Sequence, residues 1–201
     1  MRHHLFQTEY YQKEKLTIDV VKANVNALFM IIPIILIFAL PFFLLWHDKL
    51  KNSGIRNLLE IFDIGIAGNI FLYLVAFFAG IVLHELIHGL TWALFTEKGF
   101  KSISFGIMKE SITPYCHCKE PLRVKHYILG GIAPAILLGL IPATLSWATG
   151  SSPLLLFGII FTIAAAGDFM IINLLRKEKM DDLAEDHPSE AGCFVYRKVN
   201  I

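Results

Sequence analysis

Charge is what this chain has least of for its length. Asp, Glu, Lys and Arg make up 17% of the 201 residues, against about 25% in an ordinary soluble domain. Apolar residues reach 55% and the mean hydropathy is +0.58, so lipid is the expected solvent. A net charge of +1 by itself says nothing about partners, and no nucleic-acid partner is expected. The chain also lacks internal repeats and low-complexity tracts. It has only three cysteines, Cys116, Cys118 and Cys193, too few for a disulfide scaffold.

The scarcity is uneven. Asn26 to Trp46, Ile64 to Phe95, Tyr127 to Trp147 and Pro153 to Leu175 are almost free of charge. Each is long enough to cross a hydrocarbon core of about 30 Å, which takes roughly 20 helical residues. The expected fold is an all-α polytopic membrane protein of about four transmembrane helices with a small cytoplasmic or membrane-edge β-hairpin. Residues 1–25 form an N-terminal arm, 26–175 a membrane domain whose hairpin spans about 99–125, and 176–201 a charged tail. Pro33 and Pro41 in the first span, and Pro134 and Pro142 in the third, predict kinks that a membrane helix tolerates. The polar start of the chain and the length of the first run argue against a cleavable signal, so that span is expected to stay as an anchor.

Loop charge sets the expected orientation. With both termini in the cytoplasm, fifteen of the eighteen Lys and Arg fall on the inner side, in residues 1–24, 96–126 and 176–201. The cell membrane is the expected location. All three cysteines would then face a reducing compartment, as free thiols or metal ligands.

Outside the spans the signals are local. Phe6, Tyr10, Tyr11 and Leu16 among charged residues suggest a short interfacial helix in the arm. Asn52-Ser53-Gly54 reads as a turn, with Leu58, Leu59, Ile61 and Phe62 in the outer interface. Ile103, Phe105 and Ile107 alternate with Ser102, Ser104 and Gly106 before Lys109-Glu110-Ser111 breaks the run, and Ile112 to Cys118 follows. That is a hairpin pattern, with Pro114 confining the second strand to an edge or bulge. In the tail, Cys193 to Tyr196 suggests one short strand and the remainder loop.

The chemistry gathers at His84-Glu85-Leu86-Ile87-His88 in the second run. Histidines four residues apart on a helix project from one face about 6 Å apart and can share one zinc ion. Glu85, beside that face, can take a proton from a water whose pKa the metal lowers to about 7 and pass it to a leaving amine. A chance match, or core histidines held by hydrogen bonds, would account for the same letters on a surface helix. Here the ionisable groups sit in an apolar run, where each costs at least about 2.5 to 3.5 kcal/mol and calls for a function.

A catalytic zinc takes a third protein ligand and keeps one position open. Asp168, the only charged residue between Pro153 and Leu175, is the candidate. Counted from Glu97 and Arg176, His88 and Asp168 lie about 12 to 14 Å inside their helix ends, so the side chains can meet at one level. Ala164 to Gly167 would let helices approach closely there. Other candidates are weaker. Cys116 and Cys118 share a strand face and could bind metal only with Cys193 or His187 recruited from the tail. His47 and His126 stand at helix ends, and His3 and His4 in the arm. Asn69 and Asn173 are expected to make helix–helix hydrogen bonds.

At these residues the chain resembles a family of small membrane proteins described as zincin peptidases, and more distantly the site-2 proteases. The first likeness runs from the second span onward: His84 to His88, Cys116 to Tyr127, Gly130-Gly131-Ile132-Ala133-Pro134, Gly167-Asp168 and Asp186-His187-Pro188. The second consists of the embedded His-Glu-x-x-His and a later intramembrane Asp. Site-2 proteases carry that Asp in a Leu-Asp-Gly setting, whereas this chain has Ala166-Gly167-Asp168-Phe169. The resemblance implies intramembrane proteolysis of a membrane-anchored protein or peptide near the cytoplasmic side, with Zn2+ held by His84, His88 and Asp168 and Glu85 as the proton carrier. It also suggests that a hairpin edge pairs with the substrate backbone. Two alternatives keep the site but change its use: a non-proteolytic zinc-binding regulator, or a small metal or ion transporter. The transporter suits a chain without repeats less well.

Overall fold

The computed structural model describes residues 11–52, 61–108, 113–188 and 190–199. Four helical stretches are long and apolar enough to cross a membrane: Val25–Lys51, Gly65–Ala93, Val124–Thr149 and Ser152–Lys177. They match the four charge-poor runs. Their outward faces carry large bare side chains such as Phe29, 72% exposed, and Val82, 67% exposed, an arrangement suited to lipid. The chain is a multi-pass membrane protein, mainly helical, with two small antiparallel sheets.

It divides into two compact units, Met1–Ala23, Glu85–Ala133 and Gly167–Ile201 forming one, Asn24–His84 and Pro134–Ala166 the other. The second unit contains most of α1 (Val20–Asn52), the first two-thirds of α2 (Gly65–Ala93), α4 (Ile141–Thr149) and α5 (Ser152–Ala164). Gly150 ends α4 in the left-handed conformation with φ 66°, and its N–H donates to Ser146 at 2.8 Å. Ser151 caps α5 through Leu154. The indoles of Trp46 and Trp147 tie α1 to α4, donating to the carbonyls of Trp147 at 3.0 Å and Phe38 at 2.9 Å. The break in helical dihedrals of α1 falls at Trp46, not at Pro33 or Pro41. In the third span the prolines do act: between Pro134 and Pro142 the chain forms a π-helical segment, Ala135–Leu140. Proline removes an N–H and clashes with the preceding turn, and a wider turn accommodates both.

Among the described residues, the hydrogen bonds of Asn69 are local. Its side-chain oxygen accepts from Ile61 N at 2.7 Å and Phe62 N at 3.2 Å, and its amide donates to Phe62 O and Gly65 O, so it fastens the entry of α2. Asn173 is likewise local, paired with Arg176. A short polar side chain near a helix end finds backbone partners more cheaply than a distant helix.

The first unit holds β1 (Tyr11–Thr17), β2 (Ile103–Met108), β3 (Thr113–Cys118), β4 (Leu122–Arg123), α3 (Val124–Pro134), α6 (Ala166–Leu174), β5 (Leu183–Asp186) and β6 (Gly192–Lys198). The hairpin forms as expected: β2 and β3 pair antiparallel, with Ile103 opposite Cys118 and Ile107 opposite Pro114. Its tip, residues 109–112, lies outside the described residues, as do 1–10 and 53–60.

The two ends of the chain depart from expectation. Residues 11–17 are a strand, not a helix, and the tail adds two strands rather than one. Together with the connector before α3 they build a four-stranded sheet in the order β1-β6-β5-β4. Seven residue pairs join β1 to β6. The physical reason is non-local. Arg197 of β6 binds Glu178 at 2.7 Å through Nε and also engages Glu14 of β1, while Val195, Cys193 and Ala184 are fully buried against Leu175, Val124 and Tyr127. Charges that read as a solvated arm are cross-strand partners once the ends meet.

Candidate metal centre

Helix α2 carries the motif. Its 29 residues include no proline, and Glu85 is its only charged residue. Glycine is placed where neighbours press on it. A side chain at Gly89 would stand 2.7 Å from the Phe105 ring and 2.9 Å from Ile103, so β2 lies directly on the helix one residue beyond His88.

His88 is buried, 4% exposed. Its Nδ1 lies 2.8 Å from the carbonyl oxygen of Gly130. A carbonyl only accepts, so Nδ1 carries the proton and Nε2 presents its lone pair. That Nε2 is 3.4 Å from Asp168 Oδ1. A lone pair and a carboxylate facing each other at this distance need a positive charge between them, either a second proton on the ring or a cation.

The geometry suits zinc. Two ligand atoms on a tetrahedral ion at about 2.0 to 2.1 Å stand about 3.3 to 3.4 Å apart. His84, also buried, is one turn earlier on the same continuous helix. One ligating atom from each of His84, His88 and Asp168 lies within 4.8 Å of the other two. Two imidazoles and one carboxylate are a donor set that suits zinc and leaves a fourth position open.

Asp168 is held differently from what a continuous fourth span implies. The helix breaks at Ala165, with ψ of 6°, and Asp168 occupies the first turn of α6. Carboxylates are favoured at that end, where backbone N–H groups are unpaired. Ala165 and Ala166 are buried, as helix packing through small residues requires, whereas nothing stands within 4 Å of a side chain placed at Gly167. The chain is open beside the carboxylate.

Glu85 is half-buried next to His84. Its charge is felt at Cys116 of β3, whose thiol is pushed up by burial first and by Glu85 second, so the hairpin lies within electrostatic reach of Glu85. Cys116, Cys118, Cys193 and His187 do not gather into a ligand set; among the described residues the grouping of three is His84, His88 and Asp168. Cys118 and Cys193 belong to the apolar core. His126 stacks on Phe95 at 4.0 Å, and His47 pairs with Asp48.

Four residues around His88 had no role assigned from the sequence. Trp92, one turn further along α2, stacks on the imidazole at 5.1 Å and 18°. Its indole N–H donates to Tyr127 O at 3.0 Å, and the Tyr127 ring stacks on it at 5.4 Å. Gly130 must be glycine, since a side chain there would meet Trp92 Nε1 at 2.1 Å. Asp186, at the end of β5, accepts from Cys118 N at 2.8 Å and from the Tyr127 hydroxyl. Burial pushes the Asp186 carboxyl up, opposed by those two hydrogen bonds and by His117, 3.9 Å away.

With this geometry in place, residues 77–183 match the model of a family described as "Putative zincin peptidase". The match covers more than half of the chain, and the protein belongs to that family. The membership supports a peptidase, and zinc as its metal. No curated protein and no solved structure matches the chain.

Proposed function

We propose that the protein is a membrane-embedded zinc endopeptidase, cleaving a membrane-anchored protein or peptide near the cytoplasmic face. The observation that carries this is a His-Glu-x-x-His helix inside an apolar span with the His88 lone pair 3.4 Å from Asp168. His84, His88 and Asp168 would hold the metal. Bound zinc lowers the pKa of water toward about 7 and polarises the peptide carbonyl.

The remaining work belongs to the chain. Gly130 O fixes the His88 tautomer so that Nε2 faces the metal. Glu85 accepts a proton from water as the water oxygen bonds to the carbonyl carbon. It then gives that proton to the peptide nitrogen as the C–N bond breaks, so that an acid and an amine leave. A helical peptide bond is shielded, so the substrate must be extended. The β2–β3 ribbon, seated on Gly89, offers an edge to which an extended segment can add as a further strand. The family membership and the apolar spans support this reading together.

The test is zinc content and cleavage measured on the same purified preparations. Glu85→Gln is expected to keep zinc and lose at least about 100-fold in cleavage. His84→Ala and Asp168→Asn are expected to lose zinc as well. Zinc retained by both ligand variants would remove the site, and zinc bound by a wild type that cleaves no membrane substrate would point to a regulator without peptidase activity.

A further inference from the structure

We infer that Asp186 and Tyr127 are positioning residues for the metal ligand His88, and that they connect the sheet built from the chain's two ends to the metal centre. The inference rests on the zinc reading above and goes beyond it, since neither residue belongs to the motif and Asp186 lies outside the matched segment.

The connection is continuous and buried. Asp186 closes β5, opposite Cys193 of β6, and its carboxylate holds two separate elements. One oxygen takes the N–H of Cys118 at the end of the hairpin, the other the hydroxyl of Tyr127 in the third span. Tyr127 is 3% exposed and touches Trp92 twice, through its ring and through its carbonyl. Trp92 in turn covers the flat face of His88. Gly130, one turn after Tyr127 on α3, supplies the carbonyl that orients Nδ1. The hydrogen bond from Nδ1 and the stacking of Trp92 therefore both pass through α3 or through a residue packed on it.

A ligand's outer contacts set its orientation, and losing one commonly costs about 10- to 100-fold in metal affinity. If Tyr127 loses its anchor, α3 can rotate by the slack of one hydrogen bond. Trp92 and the Gly130 carbonyl then shift together. The sheet formed by the chain's ends thereby acts on zinc affinity without supplying a ligand. That gives the Asp186-His187-Pro188 segment a role the motif itself does not explain.

The experiment uses the full chain in detergent. Zinc affinity is measured by competition with a chelator of known strength. The visible spectrum of the cobalt-substituted protein reports ligand geometry, and thermal unfolding with excess chelator reports stability without metal. Tyr127→Phe keeps both rings and removes one hydroxyl. It is expected to weaken zinc roughly 10-fold or more and to change the cobalt spectrum while the metal-free unfolding midpoint barely moves. Asp186→Ala, which removes both acceptors, should show a larger change of the same kind, whereas Asp186→Asn, whose amide can still accept from Cys118 N–H and donate to the Tyr127 oxygen, should show a smaller one. Tyr127→Phe and Asp186→Ala with wild-type affinity and spectrum would overturn the inference and leave the zinc site standing. Affinity lost only in step with the metal-free stability would overturn it as well, by reducing Asp186 to a structural residue. A wild type that binds no zinc would remove both readings at once.

Discussion

A histidine becomes a dependable ligand when its second nitrogen is committed, and His88 shows how much chain that takes. The glycine that permits Trp92, the indole that covers the ring and the carbonyl at 2.8 Å all stand around one imidazole. The grouping of His84, His88 and Asp168 was legible because an ionisable residue in an apolar run has no ordinary reason to be there. Trp92, Tyr127 and Gly130 were not, because an aromatic or a glycine in a membrane helix reads as filler. Cysteine gives the residue-scale prediction. Burial, and the nearby Asp186 carboxylate, push the thiols of Cys118 and Cys193 up to about 12. At pH 8 only about one in ten thousand is thiolate, the form that alkylating reagents attack. In the native protein both are expected to survive iodoacetamide at pH 8 and to react fully after unfolding in SDS, read peptide by peptide by mass spectrometry. Rapid native labelling of either would contradict their burial.

At the scale of elements, the spans were legible as lengths of low charge, and the hairpin as an alternation ending at Pro114. What the pattern could not show was the irregularity inside the spans: the π segment at Ala135–Leu140 and the break at Ala165 that puts Asp168 in the first turn of a helix. Both depend on how one turn packs on the next, and periodicity averages over turns. The terminal sheet was hidden for another reason, since β1 pairs with β6 across nearly the whole chain and β4 with β5 across two spans, separations that no local pattern reports. Its clasp can be titrated. Arg197 holds the Glu178 carboxyl below its ordinary 4.5, so the pair's contribution is present above that pH and is lost as pH falls through the depressed value. Glu178 is 6% exposed in its side chain and Arg197 36%, so a modest effect of about 1 kcal/mol or less is expected. Glu178→Gln should lower the unfolding midpoint at pH 7, and the gap to wild type should close as the pH falls well below 4.5. A gap that stays constant would show that the pair does not titrate with folding.

For the whole molecule, sheet pairing and loop charge converge on one point. Hydrogen-bonded strands cannot lie across a bilayer from one another. The β1-β6-β5-β4 sheet therefore puts residues 11–17, 122–123 and 183–198 on the same side. Four spans between the ends require the same thing, and the three segments richest in Lys and Arg contain these strands. The pairing says that the sides agree, and the loop charge supports the proposal that this side is the cytoplasm. If the sheet lies inside, as the loop charge leads us to propose, the hairpin, the open flank at Gly167 and the candidate zinc ligands would all be approached from the cytoplasmic half of the bilayer. That is the physical basis for proposing cleavage near that face. Lys198→Cys, at an exposed position of β6, reports it directly. A membrane-impermeant maleimide should leave this cysteine untouched in sealed right-side-out vesicles and modify it in inverted ones, with the unchanged wild type giving the background of its three cysteines. Labelling of Lys198→Cys from the outside would reverse the orientation and move the proposed cleavage to the opposite face, while leaving the same-side pairing of the two ends intact.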